Sequence, residues 1–155
     1  MADSAMNNDQ TPLPESFAEI VDDFHALQQR QRLELLLEFS RELPALPERY
    51  QGKHDLMESV AECQSPVFVA VEVGSGPDEA VQIFFDAPAE APTTRGFASI
   101  LATGMKGLTA RQVLAVPDDV PMRLGLTEAV SPLRLRGMAG MLARIKRQVN
   151  AGLTS

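Results

Sequence analysis

Residues 59–73 read Ser59-Val-Ala-Glu-Cys63-Gln-Ser-Pro66-Val-Phe-Val-Ala-Val-Glu-Val73, and the rest of the chain is read outward from this stretch. Val67, Val69, Val71 and Val73 alternate with Phe68, Ala70 and Glu72. That pattern is apolar on both faces until Glu72 and predicts a largely buried β-strand. Just before it, the one cysteine of the chain sits in a short polar turn ending at Pro66. Free cysteine is among the most buried residue types, yet turns between elements lie at the surface. Cys63 is therefore either a small buried hydrophobe or a nucleophile held out for a partner, and the residue types leave both open.

Downstream, Gly74-Ser-Gly-Pro-Asp78 is a run of breakers. Val81, Ile83 and Phe85 then alternate with Gln82, Phe84 and Asp86, which predicts a second strand and an antiparallel hairpin with a loop of about five residues. Upstream, Leu56 to Ala61 reads as a short edge strand leading to Cys63. Helical patterns flank this sheet on both sides. Ser16-Phe-Ala-Glu19 has the form of a capping box, followed by an apolar stripe of Phe17, Ile20, Val21, Phe24 and Leu27. Leu33, Leu35, Leu36, Leu37, Phe39 and Leu43 do not continue that stripe, so a break near Gln28–Gln31 divides two helices. Pro44 and Pro47 close the second. After the hairpin, Thr93 or Thr94 is placed to cap a helix carrying Phe97, Ile100 and Leu101 and ending near Gly104. Thr109-Ala-Arg-Gln112 is a further capping box for a short helix, and Asp118 or Asp119 starts one more turn ending near Gly125. Ser131 as N-cap and Pro132 at the first helical position open the last helix, whose stripe is Met138, Met141, Leu142, Ile145 and Val149. Helices, antiparallel strands, then helices is the order of an α+β domain with a small sheet of about three strands.

The chain is long enough for one hydrophobic core, and 45% hydrophobic against 23% charged residues is a globular balance. A net charge of −7 leaves no basic surface for nucleic acid or for a polybasic membrane anchor. A lone cysteine forms no internal disulfide, and the first ten residues lack the basic and apolar regions of a signal peptide. No apolar run approaches the roughly 18–20 residues of a membrane span. The expectation is a cytoplasmic chain with an acidic, disordered tail over residues 1–13, a single domain over 14–150, and a short C-terminal tail over 151–155. There is no Gly-rich nucleotide-binding motif and no internal repeat.

Little in the sequence supplies chemistry to Cys63. His25 and His54 are far apart and have no metal-ligand spacing with it. His25 reads as a surface residue of the first helix, while His54, in a turn ahead of Cys63, has a way to approach the thiol. A catalytic cysteine needs a base or a cationic setting to hold thiolate, whereas the adjacent residue is Glu62, which disfavours it. Arg134 and Arg136 lie in the first turn of the last helix, an end that favours negative charge. Either both extend into solvent, or a guanidinium there serves an anion or a thiolate. Arg144, Lys146 and Arg147, near the other end, suit the helix dipole and call for no function. A self-contained cysteine enzyme and a non-catalytic interaction domain with an inert Cys63 both remain open on these residues.

Several segments in register resemble the SufE family of sulfur-acceptor proteins. Glu62-Cys63-Gln64-Ser65-Pro66-Val67-Phe68 is similar to its Cys-Gln-Ser-x-Val-aromatic segment, and Thr94-Arg95-Gly96-Phe97 to its basic-Gly-apolar helix start. Ser131-Pro132-Leu133-Arg134-Leu135-Arg136-Gly137-Met138 is similar to its Ser/Thr-Pro-x-Arg-x-x-Gly segment, and Leu43-Pro-Ala-Leu-Pro47 to its Leu-Pro turn. The resemblance covers roughly residues 15–150 and implies the small-sheet α+β fold shared with IscU-like scaffolds. It implies that Cys63 accepts persulfide sulfur from a SufS-like cysteine desulfurase, stimulates that enzyme, and passes the sulfur to a SufBCD-like cluster scaffold. Arg134 then has a supporting role beside the cysteine loop. No cofactor is implied for this chain, the pyridoxal phosphate belonging to the desulfurase. A cluster scaffold itself needs several thiolates, which one cysteine does not supply. The resemblance further implies a loop that tucks the sulfur into an apolar pocket at rest and swings out on docking. Glu62 departs from the small residue common in relatives, and Glu90 stands where many carry Asp.

Overall fold

The computed structural model describes residues 12–154. Most of the expected N-terminal tail lies outside these residues, although Leu13 already packs partly against the core. Helices α1 (Glu15–His25) and α2 (Gln29–Arg41) come first, then a three-stranded antiparallel sheet of β1 (Glu58–Ser59), β2 (Phe68–Glu72) and β3 (Gln82–Asp86) in the order β1-β2-β3. Helices α3 (Pro92–Gly104), α4 (Ala110–Leu114) and α5 (Pro132–Thr154) complete the chain. The expected α+β architecture is present.

The register pairs Val69 with Phe85 and Phe68 with Asp86, so alternate residues of β2 and β3 divide between two faces. Val67, Val69 and Phe85 are buried in a core shared with Phe97, Ile100, Met138, Met141, Leu142 and Ile145. On the other face, His54 stacks on Phe68 and Tyr50 packs on Phe84, through two short 3₁₀ turns at Glu48–Tyr50 and His54–Leu56. Arg49 and Tyr50 also bond the Glu72 carboxylate, which finishes the strand.

Several expectations meet a different local structure, each time because a tertiary contact claims the group. Pro14, not Ser16, precedes the first helical residue, and the Ser16 hydroxyl donates instead to the carbonyl of Gly104. Neither Thr93 nor Thr94 caps α3; the helix begins at Pro92, which places Thr94 inside it, buried. The hairpin connection spans residues 73–81, longer than expected, because Val81 N–H donates to Leu108 and Ala80 bridges to Thr109. The edge strand expected over Leu56–Ala61 contracts to Glu58–Ser59. The last helix runs on to Thr154, through residues 151–154 of the segment read as a C-terminal tail, Ser155 lying outside the described residues, and Gly152 lies against Val73. The break between α1 and α2, the Thr109–Gln112 capping box and the stop at Gly125 stand as expected.

Among the described residues no helix is long and apolar enough to cross a membrane. A cleft of about 690 Å³ follows the outer edge of β3 between Leu43–Leu46 and Met105–Gly107, and no residue of the cysteine turn lines it.

Candidate functional site

Cys63 closes a 3₁₀ turn, Ala61–Cys63, held by N–H bonds from Cys63 to Val60 and from Gln64 to Ala61. Gln64 then takes a left-handed conformation (φ +59°), a position that favours glycine, and the chain reverses there into β2. The turn lies against α5. Its sulfur is half-buried, 3.6 Å from the carbonyl oxygen of Gly137.

The turn comes this close because α5 offers two glycines one turn apart on the facing side. A Cβ on Gly137 would sit 3.2 Å from Cys63 Sγ and 3.3 Å from its Cα. A Cβ on Gly140 would come within 2.9 Å of the Glu62 carboxyl carbon. Gly137-x-x-Gly140 thus makes a shallow recess in which the thiol and the Glu62 side chain rest.

Arg144, one turn further along α5, ties the turn down. Its Nη1 lies 2.9 and 3.1 Å from the two Glu62 carboxylate oxygens, and also donates to Gly140 O at 3.2 Å. Its Nε donates to Ser59 O at 3.0 Å and lies 3.6 Å from Glu58. Arg147 and Gln148 hold Glu58 in turn.

These neighbours set the thiol's acidity. Burial is the larger cause and the Glu62 charge the next; against the opposing pull of Arg144 they push Cys63 from an ordinary 9.0 up to about 11. The Arg144 hydrogen bond holds the Glu62 carboxyl below its usual range. At rest and at neutral pH the sulfur is a protonated thiol and a poor nucleophile.

His54 does not serve as a base for it. Its Nε2 lies 2.6 Å from Asp86 Oδ2 and its ring is stacked on Phe68, so the approach to Cys63 left open by the sequence is not made. Arg134 is exposed in the first turn of α5, and its backbone N–H takes the Ser131 hydroxyl as cap. No side-chain bond or ion pair joins Arg134 to the thiol in this resting arrangement; Leu133, Arg134 and Arg136 stand exposed in the turn of α5 before the recess. Arg95 is structural, donating to the carbonyls of Ser40 and Ala87. Glu90 is exposed in the loop before α3. Among the described residues no cluster of His, Cys, Asp and Glu is arranged to hold a metal ion.

The sequence marks the thiol and the adjacent carboxylate, whereas Arg144, expected only to suit the helix dipole, bonds the cysteine turn, and Gly140 carries no expectation. The spacing Gly137, Gly140, Arg144 on a single helix face was the available signal.

A family model described as SufE, an Fe–S metabolism associated domain, matches residues 18–149. An uncharacterized SufE-like protein of Mycobacterium tuberculosis is 55% identical over 137 residues, which is 88% of this chain and 93% of that protein. A SufE-like protein 1 of Arabidopsis thaliana, chloroplastic/mitochondrial, is 26% identical over 137 residues, covering 88% of this chain and 35% of its own greater length. The solution structure of a hypothetical protein from Thermus thermophilus superposes with a TM-score of 0.78 at 36% identity, over 93% of this chain and all of that one.

Proposed function

The chain belongs to the SufE family, and on that premise we propose that it is a sulfur carrier whose Cys63 loads from a cysteine desulfurase and unloads into iron–sulfur cluster assembly. The observation that carries this reading is the setting of the thiol. The only cysteine of the chain is the last residue of a turn flanked by exposed residues, with no imidazole beside it. A thiol with no base of its own suits a reaction in which the donor is already activated.

A persulfide is such a donor. The Cys63 sulfur attacks the outer sulfur of the donor's R–S–SH, forming the Cys63–S–SH bond as the donor's S–S bond breaks. The departing thiolate takes up the proton that Cys63 gives up, so the exchange needs neither oxidant nor reductant. A single cysteine preserves the product, because a second thiol nearby would discharge the persulfide as a disulfide.

The resting site also requires a movement. With Sγ against the Gly137 backbone and the thiol pushed up to about 11, attack needs the 61–66 segment to leave the recess. In the lifted position Arg134 and Arg136 are exposed cations on the adjoining turn of α5, and stabilising the thiolate or persulfide anion is the role we give Arg134. A SufS-like donor and a SufBCD-like acceptor complete the scheme, in the cytoplasm.

The test is direct. The chain is incubated with a desulfurase and cysteine, and intact mass is read. The reading expects a gain of about 32 Da on Cys63, reversible by thiol reductant, together with faster sulfide release by the desulfurase. Both effects vanish in Cys63→Ser. A desulfurase shown to be active, with no adduct and no stimulation, overturns the proposal.

A further inference from the structure

Packing alone holds the cysteine turn loosely. Where Cys63 meets α5 the helix presents glycines, Ala61, Glu62 and Gln64 are exposed, and Gln64 adopts a backbone conformation disfavoured for a residue with a side chain. Besides the weak contact of Sγ with Gly137 O, the side chain that holds the segment from outside is the Arg144 guanidinium. Arg144 reaches Ser59 O ahead of the turn, the Glu62 carboxylate within it, and Gly140 O on its own helix.

The two halves of this contact are not equivalent. The Arg144 side chain is 19% exposed, while that of Glu62 is 43% exposed. If Glu62 lets go, Arg144 keeps Ser59 O, Gly140 O and its ion pair with Glu58, which Arg147 and Gln148 hold in place. Among the described residues Glu62 has no other side-chain partner. The carboxylate is the half that moves, and the thiol is the next residue along.

We propose that the Glu62–Arg144 ion pair is a clasp that sets how often the Cys63 turn lifts from α5, and thereby how readily the sulfur meets a partner. The functional consequence rests on the sulfur-carrier reading; the clasp itself is a property of the isolated chain. The charged groups facing the thiol are Glu62 on its own turn and Arg144 on α5, with Glu58 on β1 and Arg147 on α5 completing the cluster.

Two mechanisms make opposite demands on one variant. If the charges acted only by tuning the thiol, removing Glu62 would ease ionisation and removing Arg144 would hinder it. If they act as a clasp, removing either partner frees the turn.

The rate of Cys63 alkylation by iodoacetamide is therefore measured in the full chain without desulfurase, for wild type, Glu62→Gln, Arg144→Gln and the double variant. The clasp expects each single variant to react roughly two- to fivefold faster, the range for an ion pair with one exposed partner. The double variant is expected to react no faster than the quicker single one, since one interaction is lost only once. Slower alkylation of Arg144→Gln, or additive effects in the double variant, overturns the clasp. If Arg144→Gln does not fold, Arg144→Lys decides, because lysine keeps the positive charge beside the thiol but does not reach Ser59 O and the Glu62 carboxylate together as the guanidinium does. Faster alkylation of Arg144→Lys supports the clasp, and an unchanged rate overturns it. The carrier reading fails separately. If the variants open faster but neither they nor wild type load sulfur from an active desulfurase, the clasp stands and that reading does not.

Discussion

Burial and the Glu62 charge hold the proton on Cys63, and Arg144 loosens it. The native turn therefore keeps that proton more tightly than the unfolded chain, in which the thiol titrates near 9.0. Stability from this source is intact below that value and is lost as pH rises through about 11. Thermal melts taken across this window should fall more steeply for wild type than for Cys63→Ser, whose hydroxyl does not titrate there. Arg134 belongs to the same scale with the opposite expectation. Its side chain is exposed and, among the described residues, makes no hydrogen bond or ion pair. Arg134→Ala should melt with wild type and load sulfur several-fold more slowly, the loss expected when one charge-assisted contact to an anion is removed. An altered melt would mark the residue as structural. Glu62 was legible beside Cys63 as a brake on ionisation. Arg144 was not, because it lies 82 residues downstream of Glu62 and its place in the second half of a helix already suited the dipole. A locally satisfied residue gives no sign of a distant partner.

Among the elements, α5 has two duties: it fills the core with Met138, Met141, Leu142 and Ile145, and it bares a recess at Gly137 and Gly140. A Cβ at Gly137 intrudes by a few tenths of an ångström on a short turn that is free to yield. Gly137→Ala should therefore keep the helix and its melting temperature, while Cys63 alkylation speeds up. Gly96 on α3 provides the contrast. There a Cβ would fall 2.5 Å from the backbone oxygen of Leu36, in the crossing of α3 with the buried face of α2. Neither helix can yield, so Gly96→Ala should cost about 1–3 kcal/mol, as overpacking does, read by urea denaturation. The elements themselves were legible where period alone decides them, as in the β2 alternation and the α5 stripe. Ends were less so. Ser16 and Thr94 carry capping hydroxyls, but the first turns to Gly104 O across the fold and the second is buried inside α3. The hairpin loop was underestimated because Ala80 and Val81 engage residues 108 and 109, a contact that no local pattern announces.

For the molecule as a whole, one core joins both helical ends to the sheet, and the cysteine turn lies at its margin. Lifting residues 61–66 exposes little of that core. Cys63 alkylation should therefore be nearly independent of urea until the main transition begins and rise steeply only beyond it, because denaturant sensitivity follows the area exposed. A steep dependence from the first addition would mean that the thiol reacts only through global unfolding. The sheet margin has its own guard in Gln148. Strand β1 begins at Glu58, opposite Val69, and Val60 N–H donates to Val67 O, so Val71 N–H faces the same side with no β1 residue opposite it. The Gln148 amide meets it, accepting from Val71 N–H at 2.9 Å while donating to Val69 O at 3.3 Å. One side-chain amide on a helix thus substitutes for the peptide group of a missing strand residue. It denies a second copy of the chain the template on which strand-by-strand growth begins. Under the proposed carrier role the guard on this margin stays in place when the loop opens, because Gln148 stands on α5, outside residues 61–66.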